Sequence, residues 1–135
     1  MAQPDRGLNV AAWIASVLLC ALFLYSGPPK WQDAPAPVEM FHQFGYSDGF
    51  RVFIGVCETI GGFALLFPNF AFWAACGLFL IMTGAVYSHL THGQAALWAA
   101  PVLAAYMLGF VAWVRRPQAV LLSSRTSAAP QEVEV

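Results

Sequence analysis

The sequence predicts an all-α, polytopic membrane protein, built as a four-transmembrane-helix up-down bundle with a short amphipathic helix in its first outer loop. Composition is the first observation: 59% of the 135 residues are hydrophobic and 10% are charged, whereas soluble domains carry about 25% charged residues. Charge spacing is the second, because no Asp, Glu, Lys or Arg lies between Arg6 and Lys30 or between Glu58 and Arg115. Since a spanning helix needs about 20 mostly apolar residues, these runs and the segment around Glu58 accommodate four spans.

Net charge and cysteine content bear on two other classes of protein. The net charge is −1, from six Lys and Arg against seven Asp and Glu, so the chain lacks the basic surface of a nucleic-acid-binding protein. The three cysteines are an odd number in apolar surroundings, which argues against a disulfide framework. Cys20 and Cys57 have similar predicted depths, so a redox pair stays an alternative to their acting as small hydrophobic residues.

Turn-forming residues divide the apolar sequence into its elements. The predicted spans are 8–26, 48–67, 70–89 and 95–114. The first span is interpreted as an uncleaved helix, since it is longer than a signal-peptide core and no small-residue cleavage site follows it. Gly27, Pro28 and Pro29 are expected to stop it, because proline cannot continue a helix.

The longest loop, residues 27–47, is predicted to hold a short helix over 38–44. Pro37 opens this helix and Gly45 closes it. Met40, Phe41 and Phe44 fall on one face of the helix, which therefore lies on the bilayer surface or caps the bundle.

Loop lengths and arginines set the predicted topology. Short loops force alternating helix directions and place both termini on one side of the membrane. That side carries four of the six Lys and Arg residues, so the positive-inside rule predicts cytoplasmic termini. Residues 1–117 form the predicted membrane domain, and 118–135 are expected to be a disordered cytoplasmic tail because they lack hydrophobic residues for a core.

Two glycine pairs indicate close helix packing. Gly55 and Gly62 are two turns apart, as are Gly77 and Gly84. Small residues on one stripe let neighbouring helices approach, so packing is the expected role of both pairs.

Polar residues converge on the outer end of the predicted bundle. Glu58 is the one carboxylate committed to a span, and intramembrane ionisable residues are functional by default. We therefore predict a polar site lined by Glu58 and His89, with Lys30 or Arg51 as the counter-charge. No metal site is predicted, since His89 and His92 have no matching carboxylate pair on other helices.

A structural role for Glu58 is the alternative interpretation. The carboxylate must be paired, hydrogen-bonded or protonated in an apolar surrounding. Lys30, Tyr25 and Ser26 are the candidate partners, and a bond to any of them would brace the bundle.

Four segments form an ordered set of motifs: 22–30 (LFLYSGPPK), 41–46 (FHQFGY), 54–62 (IGVCETIGG) and 83–90 (TGAVYSHL). Together they resemble the DoxX / DoxX-like family of small four-helix membrane proteins. The resemblance covers roughly residues 8–117. It implies a multi-pass protein of the bacterial inner membrane.

Some DoxX-type proteins are membrane subunits of thiosulfate:quinone oxidoreductase or partners in membrane redox complexes. The resemblance thus implies a subunit or accessory of a quinone-linked redox system. Quinone is the candidate cofactor, and the expected partners are the lipid bilayer, a membrane or soluble redox protein, and a second copy of the chain. Glu58 and His89 would hydrogen-bond the ligand or relay protons. The other residues expected to bind the ligand are Lys30, Arg51, Tyr25 and Ser26. A non-catalytic scaffold or assembly factor is the main alternative, and a small-solute transporter is a third.

Overall fold

The computed structural model describes residues 3–120 and is all-α over that range, as predicted. Its α-helices are α1 (Arg6–Ser26), α2 (Pro28–Trp31), α3 (Pro35–Gln43), α4 (Asp48–Ala64), α5 (Pro68–Thr91) and α6 (Ala99–Arg115). Short 3₁₀ turns cover Ala95–Leu97 and Arg116–Gln118. The rest of the predicted tail, 121–135, lies outside the described residues.

The four long helices form a ring in which α1 and α5 each pack against both α4 and α6. Short connections reverse the chain between α4 and α5 and between α5 and α6, so successive long helices run in opposite directions. Leu19, Phe23, Leu78 and Leu108, each at most 2% exposed, form the centre of the core. The loop end of the bundle, defined here as the end at α2, α3 and residues 92–98, lies opposite the end where Arg115 caps α6.

Two helical segments are long and apolar enough to cross a membrane. They are Arg6–Trp31, with 26 residues, and Pro68–Thr91, with 24. The helices α4 and α6 have 17 residues each. The predicted spans at 48–67 and 95–114 are thus shorter as helices than the sequence indicated.

The helix boundaries around proline differ from the prediction. The first helix ends at Ser26, but Pro28 and Pro29 start a new helical turn at once instead of an extended loop. Proline at the first helical positions loses no hydrogen bond, because those N–H groups have no partner inside the helix. The same effect starts α3 at Pro35 rather than Pro37, and α5 at Pro68.

Glycine allows the close approach of α1 and α2 to α4. A methyl group built on Gly55 would lie 2.7 Å from Cβ of Lys30 and 2.8 Å from the carbonyl oxygen of Gly27. A methyl group on Gly62 would lie 2.9 Å from Cβ of Phe23. The close packing predicted for Gly55 and Gly62 is therefore present.

The second glycine pair does not pack within the described part of the chain. Apart from the adjoining backbone of α5, methyl groups built on Gly77 and Gly84 would meet no atom of residues 3–120 within 4 Å. Gly84 instead contributes to the wall of a cavity, and Gly77 is exposed on α5. The expectation of a helix contact at both positions is wrong because α5 turns this stripe away from its neighbours.

Candidate functional site

A cavity of 440 Å³ lies at the loop end of the bundle. All four long helices contribute to its walls, and α3 lies across its end. The apolar lining comprises Leu22, Phe23, Met40, Phe41, Phe44, Phe50, Ile54, Leu80, Ile81, Met82, Gly84, Ala85, Ala100, Pro101 and Ala104. The polar lining comprises Ser26, Lys30, Tyr46, Glu58, Ser88 and His89. An apolar cavity of this size with a few convergent polar groups has the properties of a small-molecule site.

Glu58 is the centre of the polar wall. Its side chain is 3% exposed and its Oε2 atom lies 2.6 Å from Nζ of Lys30. The hydroxyl of Ser26 donates to the same oxygen over 3.0 Å, and Nζ of Lys30 also donates to the carbonyl oxygen of Ser26 over 2.8 Å. The structure therefore joins Glu58, Lys30 and Ser26 in one hydrogen-bonded cluster, called the ion-pair cluster below.

The ion-pair cluster retains unused hydrogen-bonding capacity toward the cavity. Lys30 uses two of the three N–H groups of an ammonium, and Glu58 uses only one of its two oxygens in the contacts among residues 3–120. Both side chains line the cavity. A ligand in the cavity can therefore accept a hydrogen bond from Lys30 and donate one to Glu58.

Arg51 supports the backbone that carries Lys30. Its Nη1 donates to the carbonyl oxygen of Lys30, and its Nη2 lies 2.6 Å from Oδ1 of Asp33 and 3.2 Å from Oδ1 of Asp48. In the described part of the chain, Arg51 neither lines the cavity nor contacts Glu58. Of the two counter-charges considered from the sequence, Lys30 thus meets the carboxylate, and Arg51 connects α2 and the following turn to α4.

His89 lies on the cavity wall contributed by α5. The residue is 8% exposed, and its ring is edge-on to Phe44 with the centroids 5.3 Å apart. Its Nδ1 lies 3.0 Å from Oε1 of Gln94. Within the described residues no hydrogen bond joins His89 to Glu58, although both side chains face the same cavity.

Two other residues of the sequence-based analysis lie away from the cavity. Tyr25 is 83% exposed on the outside of the bundle. His92 is exposed, and its Nδ1 lies 2.9 Å from the carbonyl oxygen of Ser88. Neither side chain lines the cavity.

The structure adds residues that the sequence did not indicate. The hydroxyl of Ser88 donates to the carbonyl oxygen of Gly84 over 3.0 Å, so in the 2.9 Å contact with Tyr46 the phenol is the donor. Gln94 contacts His89 from the next loop. The sequence does contain a signal for this contact. Gly93 follows the end of the helix, and a glycine at that position reverses the chain, which brings Gln94 back toward His89.

The cysteines and the possible metal ligands are arranged as follows in the described residues. Cys20, Cys57 and Cys76 are free thiols, and Cys20 is buried. Within residues 3–120, no three His, Cys, Asp or Glu side chains are grouped so that they could hold a metal ion.

The fold and the cavity define a class of protein: a small apolar helical bundle with a ligand-sized cavity and a buried ion pair. The chain belongs to the DoxX-like family, whose model matches residues 14–114. This membership, together with two helices able to cross a membrane, indicates a membrane protein of that family. No curated protein and no solved structure matches the chain.

Proposed function

We propose that this protein is an integral membrane subunit of a quinone-linked redox system, of the thiosulfate-oxidising kind, and that its cavity receives the quinone ring. The observation that carries the proposal is a 440 Å³ apolar cavity with the Lys30–Glu58 pair in its wall. A quinone ring is flat and apolar with carbonyl oxygens at two opposite edges. The free N–H of Lys30 is a donor for one of these oxygens.

Two side chains of the cavity wall also reach the outer surface of the bundle, which suits a lipid-soluble ligand. Phe50 of α4 and Leu80 of α5 both line the cavity, yet they are 42% and 72% exposed. A ligand with its ring inside can extend a hydrophobic tail past these residues into the bilayer.

The outer surface of the bundle supports insertion of all four long helices. Ile14 of α1, Ile60 of α4, Leu80 of α5 and Leu103 of α6 are each more than half exposed. Soluble monomers rarely expose continuous apolar surface of this kind. A 17-residue helix spans about 26 Å at 1.5 Å per residue and falls at the short end of the spanning range. We place the termini in the cytoplasm and the loop end at the outer face of a bacterial inner membrane.

Quinone analysis of the purified protein tests this function. The protein is extracted from its native membrane in mild detergent, and bound quinone is quantified per chain after solvent extraction. We expect bound quinone in the wild type and a reduction of roughly tenfold in Glu58→Gln, equivalent to about 1.4 kcal/mol, because the substitution disrupts the ion-pair cluster. Asp5→Asn, at the other end of the bundle, is the charge-matched control and should retain the wild-type amount.

Two results would reject the proposal. One is the absence of quinone from the wild type, together with no quinone binding on addition to protein in lipid nanodiscs. The other is a stable membrane partner that co-purifies equally with the wild type and Glu58→Gln, neither of which holds quinone. The second result would favour the scaffold or assembly role.

A further inference from the structure

A chain of hydrogen bonds from α3 fixes the proton position on His89. Nε2 of Gln43 donates to Oε1 of Glu39 over 3.0 Å, and Nε2 of Gln94 donates to Oε1 of Gln43 over 3.2 Å. Oε1 of Gln94 then faces Nδ1 of His89 at 3.0 Å. The four side chains are called the amide chain below.

The direction of the amide chain follows from its first member. An ionised carboxylate only accepts hydrogen bonds, so the amide nitrogen of Gln43 must face Glu39 and its oxygen must face Gln94. The amide nitrogen of Gln94 must then face Gln43, which leaves its oxygen toward His89. Reversing either amide would set two acceptors, or two donors, against each other.

Nδ1 of His89 therefore carries a proton, and in a neutral imidazole with this tautomer Nε2 is an acceptor. Nε2 has no hydrogen-bond partner among residues 3–120, and the residue faces the cavity. The backbone holds Gln94 beside His89: Gly93 adopts φ +71°, and the N–H of Gln94 donates to the carbonyl oxygen of His89 over 2.9 Å.

We propose that His89 makes the cavity selective for the reduced, hydroxyl-bearing form of a quinone, with the amide chain as the positioning element. This inference rests on the proposed function. Among the described residues the cavity lining includes free acceptors on Nε2 of His89 and on one oxygen of Glu58, and a free donor on Lys30. The oxidised ring carries only acceptors and can use Lys30 alone. The quinol hydroxyls can accept from Lys30 and donate to His89.

Paired affinity measurements test the selectivity. Protein in lipid nanodiscs is titrated under anaerobic conditions with a short-chain benzoquinone and, separately, with its chemically reduced quinol. We expect the wild type to bind the quinol more tightly than the quinone, with a factor of about three to ten, the range expected for one hydrogen bond, supplied by His89. His89→Phe should weaken quinol binding by the same factor and leave quinone binding unchanged. His92→Phe is the matched control and should keep the wild-type ratio.

A variant of Gln94 tests the positioning role. Gln94→Leu removes the acceptor opposite Nδ1 and should reduce the quinol preference, whereas the control His92→Phe keeps Gln94 and should retain it. The ¹⁵N chemical shifts of the histidine rings provide a second measurement, since the chain contains three histidines and the His89→Phe spectrum identifies the signals of His89. The Nδ1–H tautomer should dominate in the wild type and mix with the Nε2–H tautomer in Gln94→Leu.

The outcomes distinguish this inference from the proposed function. Equal binding of quinone and quinol by the wild type, unchanged by Gln94→Leu, would overturn the selectivity and leave the quinone site intact. An Nε2–H tautomer in the wild type would also overturn it. Failure of the wild type to bind either form would reject the proposed function itself.

Discussion

Glu58 shows how a single residue can specify a site inside an apolar bundle. Removing a carboxylate from water is costly unless charge and hydrogen bonds compensate for the lost solvation. Here one carboxylate oxygen accepts from both Lys30 and Ser26, over 2.6 and 3.0 Å. The second oxygen accepts no hydrogen bond from the described residues, so the contacts that brace the bundle leave Glu58 an acceptor for the proposed ligand.

A double-mutant cycle measures the coupling between Lys30 and Glu58. The single changes Lys30→Met and Glu58→Leu each leave one buried charge without its partner and should each lower the free energy of unfolding by about 3–5 kcal/mol. The double change removes both charges and should be less destabilising than the sum of the two. Unfolding in a graded series of SDS and mild detergent mixtures gives the three values.

Additivity of these substitutions would contradict a direct ion pair. Tyr25→Phe is the control, because that side chain is exposed and outside the cavity. It should change the free energy of unfolding by no more than about 0.5 kcal/mol.

At the scale of elements, the sequence predicted those helices whose positions follow from the spacing of charged and apolar residues. The charge-free runs predicted α1 and α5, and the lone carboxylate of the predicted spans drew attention to Glu58, which lines the cavity. The turn α2 was not predicted, because proline both ends one helix and starts another. Its consequence is an ion pair, since the extra turn brings Lys30 to Glu58.

Other residues of the site are positioned by the ends of helices, which the pattern of apolar residues does not locate accurately. Gly45 adopts φ +77° after α3, and the N–H groups of Gly45 and Tyr46 donate to the carbonyl oxygens of His42 and Phe41. This Schellman arrangement turns Tyr46 back toward Ser88. Tyr46 and Ser88 are 42 residues apart in the sequence. Their contact depends on how the helices pack, which the local spacing of apolar residues does not reveal.

The contrast between the glycine pairs gives a prediction at the scale of helix packing. Gly55→Ala places a methyl group against Lys30 and the backbone of Gly27, so we expect a loss of about 1–3 kcal/mol in the free energy of unfolding from overpacking. Gly77→Ala adds the same group in open space and should be neutral or stabilising by up to about 1 kcal/mol, because alanine favours helix over glycine.

The same detergent unfolding assay compares the two alanine variants. A result in which Gly55→Ala is as stable as Gly77→Ala would refute the close approach of α2 and α4. Because that approach also positions Lys30, quinone binding by Gly55→Ala should fall together with its stability.

At the scale of the whole molecule, the two ends of the bundle differ in construction. At the far end, Nη1 of Arg115 donates to Oδ1 of Asn9 over 2.7 Å, and its guanidinium lies 5.1 Å from the ring of Trp13. These contacts hold the start of α1 against the end of α6. The loop end instead keeps an open volume, because small residues such as Gly84, Ala100 and Ala104 line the cavity there.

Filling this volume tests whether the open end of the bundle is functional. Leucine in place of Gly84 extends a side chain from the cavity wall, where no atom of the described residues lies within 4 Å of the added Cβ. We expect Gly84→Leu to abolish measurable quinone and quinol binding in nanodiscs while changing the free energy of unfolding by less than about 1 kcal/mol. Gly77→Leu, two turns earlier on the same helix, makes the same chemical change outside the cavity and should bind like the wild type. Equal binding by the two leucine variants would place the ligand elsewhere, since a ligand in the cavity must compete for space with the side chain that Gly84→Leu introduces.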